Sequence, residues 1–492
     1  MFFIDTRNNG IQADAATAIL RGLAPDGGLF LPDEIPAISA EEIARMTALP
    51  YEEIAAFVLG RFLPGFDTGE LLGFARAAYA SFDDRRIVPL NPLGDGISLL
   101  ELYHGPTCAF KDLALQMLPY LMAASVKKCG EDHTVAILVA TSGDTGKAAL
   151  AGFADVPGTM IGVFYPDGGV SDIQRAQMVT QEGENVRVMA VEGNFDDAQT
   201  GVKRIFSDAA LCERLRSAGV VLSSANSINW GRLAPQIAYY YSAYAQLLAS
   251  GAVRAGEKVD FAVPTGNFGD ILAGYYAKKS GLPVGNLICA SNSNNVLTDF
   301  LRSGVYDRER PFLLTMSPSM DILISSNLER LLYLLSGDPE RVAGWMRALT
   351  DTGRYDVGDL REKARAEGFL SYYADEEETA RTIRETWEER QCAVDPHTAV
   401  GLAAARQYRA ETGEKRPCVV LSTASPFKFA GSMLRCLGRD CPKSGFDALD
   451  ALSDFTGAPV PAPLGALRTK AERFSGTVAP ADMASAVEKW LS

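Results

Sequence analysis

The stretch TVAILVATSGDTGKAALAGFA, residues 134 to 154, decides the fold class of this chain. A run rich in Val and Ile ends in a loop of hydroxyl residues and glycines, and the helical pattern KAALAGFA follows that loop. A continuous apolar run followed by a helix is typical of a buried parallel strand with its crossover helix. The stretch predicts an open α/β domain, in which ligands bind at the carboxyl ends of the strands.

Further apolar runs repeat this pattern. They are TMIGVFYP (159–166), VRVMAVEG (186–193), VVLSSAN (220–226), VDFAVPT (259–265), LICASN (287–292) and CVVLSTAS (418–425). Strands that alternate with helices indicate parallel sheets, and two open α/β domains are the economical interpretation. Residues 12 to 82 are mainly helical in pattern, and so are 327–335, 342–350 and 376–390, whose charges we interpret as solvated helix faces.

Composition limits the class of protein. The 492 residues are 47% hydrophobic and carry a formal net charge of −14, which opposes nonspecific binding to nucleic acid or to an anionic membrane. Eight cysteines without a CxxC pair, beside only three histidines, indicate reduced thiols and no metal site. No run has the length of a signal-peptide core or of a bilayer span. We expect a soluble, cytoplasmic protein.

The segment ELYHGPTCAFKDLALQ, residues 101 to 116, places Lys111 between a turn-rich loop and an apolar helix start. Asp112 suits the positive end of that helix. A shielded lysine has a lowered pKa, and its neutral amine can attack a carbonyl to form a Schiff base. On this segment alone, an ordinary surface lysine is the competing interpretation. His104 in the same segment receives no role.

Three loops follow predicted strands. In the loop 141–146, hydroxyls and amides at a helix start suit a carboxylate or phosphate, although Asp144 would repel an anion unless it caps the helix. In the loop 264–270, glycines let backbone N–H groups converge on a phosphate without a basic side chain. In the loop 421–426, small hydroxyl residues suit a ring nitrogen. Plain turns are the alternative for the first and third loops.

A reactive lysine, Lys111, and a phosphate-binding loop, 264–270, together indicate pyridoxal 5'-phosphate (PLP) as cofactor when both lie on one α/β scaffold. We call this loop the cradle. The lysine would hold the aldehyde carbon, and the cradle would hold the phosphate. The second loop is neither a Walker A nor a G-x-G-x-x-G sequence, which argues against nucleotide binding.

Many segments between residues 4 and 435 resemble one family, threonine synthase in its longer bacterial and fungal form. They are ILRGLAPDGGLFLP (19–32), HGPTCAFKD (104–112), TSGDTG (141–146), NSINWGRLAPQ (226–236), PTGNFGD (264–270), SNSNNVLTDFL (291–301), SPSMDILISSNLERLL (317–332), DPHTAVG (395–401) and STASPFKF (422–429). The chain departs from the family's usual pattern at Ser425-Pro426-Phe427 and at Gly231.

The resemblance implies the tryptophan-synthase-β-like PLP fold, called fold type II. It implies a mainly helical N-terminal region over 1–95 and a large PLP-binding domain over 96–125 and 225–440. A smaller α/β domain would cover 126–224, and a tail with a short helix would cover 441–492.

The resemblance also assigns roles to residues. Lys111 is the expected Schiff-base lysine, and Thr423 the hydroxyl that meets the pyridine nitrogen. The expected phosphate loop of PLP consists of Gly266, Asn267, Phe268, Gly269 and Asp270. The loop expected to receive the substrate α-carboxylate consists of Ser142, Gly143, Asp144 and Thr145. For the substrate phosphate we predict Asn229 and Arg232, because that site needs a cation, and a structural arginine at a helix start is the alternative.

The family's reaction converts O-phospho-L-homoserine and water to L-threonine and phosphate, by γ-elimination and β-addition of water, as the last step of threonine biosynthesis. Two alternatives share these motifs. One is a threonine-synthase-like phospho-lyase that releases 2-oxobutyrate, ammonia and phosphate, and the other is a noncatalytic PLP-binding protein. We expect no nucleic acid or membrane partner and a monomer or homodimer.

Overall fold

The N-terminal region of the computed structural model, which describes residues 1–141 and 143–491, is mainly helical, as predicted. Its helices are Ala15–Arg21, Ala40–Arg45, Tyr51–Phe62 and Thr68–Tyr79. Asp14 and Asp67 accept backbone N–H groups at two of the helix starts, and Ser39 forms a capping box with Glu42 at a third. A small antiparallel sheet, in the order Gln12–Ala13, Phe3–Asp5, Phe30–Pro32, completes the region.

A six-stranded sheet forms the larger α/β part of the molecule. Its strands lie in the order Phe369–Tyr373, Val284–Ser291, Val259–Pro264, Cys418–Ser422, Ile97–Glu101, Leu90–Gly94. All neighbours are parallel except the last pair, which forms an antiparallel hairpin. The edge strand contains Pro92. Proline lacks an N–H donor for a sheet hydrogen bond, and it is therefore found mainly in edge strands.

A five-stranded parallel sheet forms the smaller part. Its order is Thr477–Val478, Val186–Val191, Thr159–Pro166, Thr134–Ala140, Val220–Ser223. The apolar run that begins at residue 134 and the predicted runs 159–166, 186–193 and 220–226 thus form one sheet, and the C-terminal tail adds an edge strand to it. The last helix, Met483–Leu491, packs its apolar face against helix Phe195–Ser207 of this part. The domain boundaries given above stay a prediction.

Helices cover both sheets. Around the six-stranded sheet they are Lys111–Leu115, Leu118–Lys128, Trp230–Ala249, Gly269–Lys279, Val296–Ser303, Leu328–Ser336, Pro339–Thr352, Leu360–Ala366, Glu376–Arg390, Pro396–Thr412, Ala430–Cys436, Gly445–Thr456 and Ala462–Gly465. Around the five-stranded sheet they are Asp144–Phe153, Asp172–Val179, Phe195–Ser207, Ala209–Ser217 and Met483–Leu491. A two-stranded ribbon pairs Val305–Asp307 with Arg354–Asp356.

Helix Trp230–Ala249 is the central helix of the molecule. Nearly all of its residues are buried, which is the expectation for a helix that is apolar on every side. Trp230 at its start packs edge-on against Phe3 of the N-terminal sheet and Tyr276 of the following helix. The same turn carries Arg232, whose charge is therefore placed in the interior. Within residues 1–141 and 143–491, no helix has the length and apolar character needed to cross a membrane.

Candidate active site

Three neighbouring strands of the large sheet bring the predicted lysine and two of the loops together. Strand Cys418–Ser422 lies between Val259–Pro264 and Ile97–Glu101, so the segments after their carboxyl ends share one edge. The N–H of Phe110 donates to the carbonyl of Thr423 at 2.8 Å, and Ser425 donates to Cys108 at 3.0 Å. Because Phe110 directly precedes Lys111, these bonds place Lys111 next to the segment that carries Thr423.

The amine of Lys111 is enclosed by polar and aromatic groups at the start of helix Lys111–Leu115. Its Nζ donates to Oγ of Ser319 at 3.1 Å, lies 3.9 Å from Oδ2 of Asp144 and stands 5.0 Å from the ring centroid of Phe110. Burial lowers the pKa of Lys111 to about 8, against the raising effect of Asp144. The amine is therefore shielded, as its proposed chemistry requires, and the surface-lysine alternative is wrong.

Asp144 faces the site from the first turn of helix Asp144–Phe153. Its Oδ1 lies 2.9 Å from Nζ of Lys428 and accepts from Gln174 at 3.2 Å, while its Oδ2 accepts from Ser319 at 3.2 Å. Burial raises its pKa, but the ammonium groups of Lys428 and Lys111 hold the pKa well below its usual range. The carboxylate does not cap its helix. Its pairing with Lys428, and not capping, therefore reduces its repulsion of an anion.

The loop around Asp144 is held by a neighbouring threonine. Oγ1 of Thr141 accepts the N–H groups of Gly143 and Gly146, each at 3.0 Å. Gly143 has a φ of 140°, and a Cβ there would lie 2.4 Å from Nε2 of Gln174, so the position needs glycine. Thr145 forms no side-chain hydrogen bond with the described residues. Ser142 lies outside the described residues, and the carboxylate role of this loop stays a prediction.

The predicted phosphate loop has the form of an anion cradle. It joins strand Val259–Pro264 to helix Gly269–Lys279, and Phe268 adopts a left-handed φ of 63° at the helix start without a side-chain cap. Within residues 1–141 and 143–491, none of the backbone N–H groups of 266–270 has a protein acceptor. Uncapped N–H groups at a helix N-terminus suit a phosphate.

Neighbouring segments support the cradle from outside. Ser325 donates its hydroxyl to the carbonyl of Gly266 at 2.7 Å, and Asn327 donates its backbone N–H and its side-chain amide to the carbonyl of Asn267 at 3.0 and 3.1 Å. A Cβ on Gly266 would lie 3.1 Å from the carbonyl oxygen of Ser319. The missing side chain thus lets the segment that carries Ser319 approach the loop.

The backbone N–H of Asp270 belongs to the cradle, whereas its carboxyl group binds two tyrosine hydroxyls. Oδ1 accepts the hydroxyls of Tyr239 and Tyr240 at 2.5 and 3.0 Å, and Oδ2 has no partner among the described residues. Burial raises the pKa of Asp270 to about 7, although the two tyrosines lower it. With this pKa, about half of the Asp270 carboxyl groups are protonated at neutral pH, and the protonated form repels a bound phosphate less than a carboxylate would.

Arg232 is a buried cation without an anionic partner among the described residues. Nη1 donates to the carbonyl of Ala225 at 2.9 Å, and Nε has no acceptor. Burial lowers its pKa to about 10, so the group stays charged at neutral pH. An isolated buried charge is costly unless an anion completes the site. Arg232 thus keeps the phosphate-binding assignment that its sequence predicts.

Asn229 is occupied by structural hydrogen bonds. Its Oδ1 caps the central helix by accepting from Gly231 at 2.8 Å, and its Nδ2 donates to the carbonyls of Ile19 and Ser224 at 2.9 and 3.2 Å. All of its polar side-chain groups are therefore engaged in placing the start of the helix. The backbone carbonyl of Asn229 also accepts the N–H of Arg232 at 2.9 Å, and a phosphate contact by Asn229 stays a prediction.

Two further residues of the site, Ser319 and Lys428, received no role from the sequence. Lys428 sits in the apolar segment PFKF, and its side chain is 1% exposed. A lysine among large apolar residues is a signal for a buried ammonium group with a carboxylate partner. Ser319 follows a proline in a short turn and carries no comparable signal. His104 lies between the carboxylates of Asp83 and Glu101 and forms no hydrogen bond with Lys111.

The residues present fit PLP. The cradle offers unpaired N–H groups for its phosphate, and Lys111 offers a shielded amine. Thr423 is buried, and its hydroxyl has no partner among the described residues. A cavity of about 460 Å³ opens beside the site between Gln174, Pro318 and Lys428.

Comparisons with known families agree along the whole chain. The model described as "Threonine synthase N terminus" matches residues 2–79, and "Pyridoxal-phosphate dependent enzyme" matches residues 86–424. The model described as "Threonine synthase, C-terminal" matches residues 398–489.

Individual relatives give the same result. Threonine synthase of Pseudomonas aeruginosa is 41% identical over 431 residues, which cover 87% of this chain and 89% of that protein. Threonine synthase-like 1 of Homo sapiens is 40% identical over 435 residues, which cover 85% of this chain but 57% of that protein. The crystal structure of PLP-bound threonine synthase from Brucella melitensis superimposes with a TM-score of 0.89 at 37% identity, covering 100% of this chain and 98% of that one.

Proposed function

The chain belongs to the threonine synthase family of PLP-dependent enzymes, and we propose that Lys111, the cradle at 266–270 and Arg232 carry its reaction. The reaction converts O-phospho-L-homoserine and water to L-threonine and phosphate. Overall, Cγ of the substrate exchanges its phosphate for a hydrogen, and Cβ exchanges a hydrogen for the hydroxyl of water. The observation that carries this proposal is the shielded amine of Lys111, whose pKa of about 8 suits proton transfer.

PLP, when bound, withdraws electrons from the amino acid, so that protons at Cα and Cβ become removable. The backbone N–H groups of 266–270 would hold its phosphate, and the hydroxyl of Thr423 would meet its ring nitrogen. Lys111 would hold its aldehyde carbon until the substrate is bound, and its amine would then be available for proton transfer.

Lys111 acts as the proton carrier of the site. Once released, its amine takes the proton from Cα and later returns one to the same carbon, and it also lies within reach of the proton transfers at the neighbouring carbons. Ser319 and Asp144 contact the amine on one side and hold it in place. The departing phosphate assists the addition of water to Cβ.

The two anionic ends of the substrate need separate sites. Arg232 offers a buried guanidinium to the phosphate, in a place where its attraction is screened little by water. The loop 142–145 receives the α-carboxylate, next to Lys428, which neutralises Asp144. Two distant anion sites would fix the substrate with its Cα beside Lys111 and its Cγ near Arg232.

The product of the reaction tests this function. Purified protein loaded with PLP should release phosphate from O-phospho-L-homoserine and form threonine in equal amount, and Lys111→Ala should abolish both. The same variant should lose the visible absorbance of lysine-bound PLP. Turnover by Lys111→Ala at the wild-type rate would remove Lys111 from the mechanism.

A second candidate function is elimination without addition of water, which yields 2-oxobutyrate, ammonia and phosphate. Sequence identity does not separate the two kinds of relative, because the chain is 40% identical to threonine synthase-like 1 and 41% identical to threonine synthase. Separating threonine from 2-oxobutyrate after a single incubation distinguishes the two. A noncatalytic PLP-binding protein would release no phosphate at all.

Location and assembly complete the proposal. All eight cysteines are free in the structure, which supports a reducing, cytoplasmic environment. We propose a monomer or a homodimer, and light scattering of the purified protein distinguishes them.

A further inference from the structure

Ser319 connects the two charged groups nearest the reacting centre. Its hydroxyl accepts a hydrogen bond from Nζ of Lys111 at 3.1 Å and donates one to Oδ2 of Asp144 at 3.2 Å. Ser319 lies in the short 3-10 turn Pro318–Met320, and its backbone N–H has no main-chain acceptor among the described residues. A group outside the turn therefore has to hold the backbone of Ser319 in place.

That support comes from His397 on a different element. The backbone N–H of Ser319 donates to Nε2 of His397 at 3.1 Å. His397 is 2% exposed and lies in the first turn of helix Pro396–Thr412, so its ring cannot move without disturbing the core. A histidine ring thus anchors the backbone of the residue that contacts Lys111.

Asp395 fixes the ring in turn. Its Oδ1 lies 2.7 Å from Nδ1 of His397, and the same carboxylate caps the helix by accepting the N–H groups of His397 and Thr398. A backbone N–H can only donate, so Nε2 must carry the lone pair and Nδ1 must carry the proton. The arrangement selects one neutral tautomer, and that tautomer is the one able to accept from Ser319.

We propose that His397, fixed by Asp395, is a positioning residue that holds Ser319 where its hydroxyl joins Lys111 to Asp144. This inference deepens the proposed function and rests on it. In this role His397 acts through the backbone of Ser319 and not through contact with the substrate or the cofactor. The line of contacts joins segments DPHTAVG, SPSM, AFKD and TSGDTG, which are far apart in sequence.

A packing role is the competing explanation, because the His397 ring also lies 5.0 Å from the ring of Phe429. Packing requires the shape of the ring, whereas positioning requires an acceptor atom at Nε2. A side chain that supplies an acceptor atom without the shape of imidazole should therefore restore activity only if His397 positions Ser319. The two explanations also differ in whether the effect of His397 depends on the hydroxyl of Ser319.

A double-mutant cycle separates them. Ser319→Ala and His397→Met should each lower kcat about 10- to 100-fold, the effect of losing a hydrogen bond to a charged group, with KM changed little. The double variant should be no slower than Ser319→Ala, because His397 acts through the missing hydroxyl. Effects that multiply in the double variant would overturn the proposal.

Conservative variants distinguish the loss of an acceptor atom from misfolding of the protein. His397→Gln keeps an acceptor oxygen and should recover part of the kcat lost in His397→Met. His104→Gln is the matched control, since that histidine is also held by carboxylates but does not contact Ser319 or Lys111. Equal loss in His397→Gln and His397→Met would argue for shape alone.

A second readout needs no turnover. In cofactor-free protein, an amine-reactive reagent followed by mass spectrometry gives the labelling rate of Lys111. Ser319→Ala and His397→Met should both raise that rate, because the ammonium form loses an acceptor, and the double variant should raise it no further. Labelling unchanged by His397→Met would overturn the inference. Absence of phosphate release by the wild-type protein would instead contradict the proposed function, and the labelling experiment would still decide the role of His397.

Discussion

Lys428 and Asp144 form an ion pair of 2.9 Å with both side chains almost fully buried. Lys428 also donates to the carbonyl of Thr107 at 2.9 Å, so it connects the small-domain loop to the segment that leads to Lys111. Lys428 neutralises the charge of Asp144, so this carboxylate would repel an anion in the predicted substrate site less than an unpaired one would.

Removing one partner of this pair should destabilise the protein strongly. Lys428→Met or Asp144→Asn should lower the free energy of unfolding by about 3–5 kcal/mol, because the remaining group loses its buried partner. The double variant should regain most of that stability, and its activity should stay low because Lys111 loses its contact with the carboxylate. Urea unfolding of the four proteins provides the measurement, and additive losses would contradict the pairing.

Lys111 should titrate far below an ordinary lysine. In cofactor-free protein, its labelling by an amine-reactive reagent should have a midpoint near pH 8, because burial lowers its pKa. Asp144 and Asp112 raise this pKa, whereas Lys428 and Arg232 lower it. Asp144→Asn should therefore move the midpoint further down. A midpoint at the ordinary value, about 10.4, would show that the amine is exposed to water.

Arg232 should matter for phosphorylated ligands above all. Arg232→Gln should reduce kcat/KM for O-phospho-L-homoserine about 10- to 100-fold, since a charged hydrogen bond to the phosphate is lost. Arg232→Lys should keep part of the activity, because it retains the charge without the planar fork. Inorganic phosphate should inhibit the wild-type protein more strongly than either variant. If the variants instead lose affinity for PLP and keep their inhibition by phosphate, Arg232 belongs to the cofactor site.

Asp270→Asn should stabilise cofactor-free protein in a pH-dependent manner. The pKa of Asp270 is about 7 in the folded protein and about 4 in the unfolded chain, so the folded state binds an extra proton between these values. Wild-type stability therefore falls as the pH rises through this window, and asparagine avoids that loss. We expect a gain of about 1–3 kcal/mol at pH 8 and little gain at pH 4. Thermal unfolding at both pH values is sufficient, and an equal effect at each would refute the assignment.

The sequence predicted continuously apolar strands better than strands whose apolar residues are interrupted. Runs such as 159–166 and 259–265 are continuously apolar because both sheet faces are covered, and they correspond to Thr159–Pro166 and Val259–Pro264. Helix Glu376–Arg390 has the predicted bounds. The sequence did not predict strands Leu90–Gly94, Ile97–Glu101 and Phe369–Tyr373, because polar residues, proline or glycine interrupt their apolar runs.

In the candidate site, too, local features could be predicted from the sequence and contacts between distant segments could not. Backbone features, such as the glycines of the cradle and the strand-end loops, are local and could be found in the sequence. Contacts such as that between Ser319 and His397, or between Asp144 and Lys428, join residues at least 78 positions apart. The sequence therefore does not show that Lys428 neutralises Asp144, or that Asn229 caps the central helix.

The pairing of Cys418–Ser422 with Ile97–Glu101 also sets an order for folding during synthesis. Four strands of the small sheet lie between residues 134 and 223, so this sheet can form as soon as that part of the chain has emerged from the ribosome. The large sheet cannot acquire its central strand until residue 422 is made, and closing so long a loop is slow. The edge that carries Lys111 is therefore among the last parts of the molecule to form, and the nascent chain has no complete PLP site until almost all of it exists.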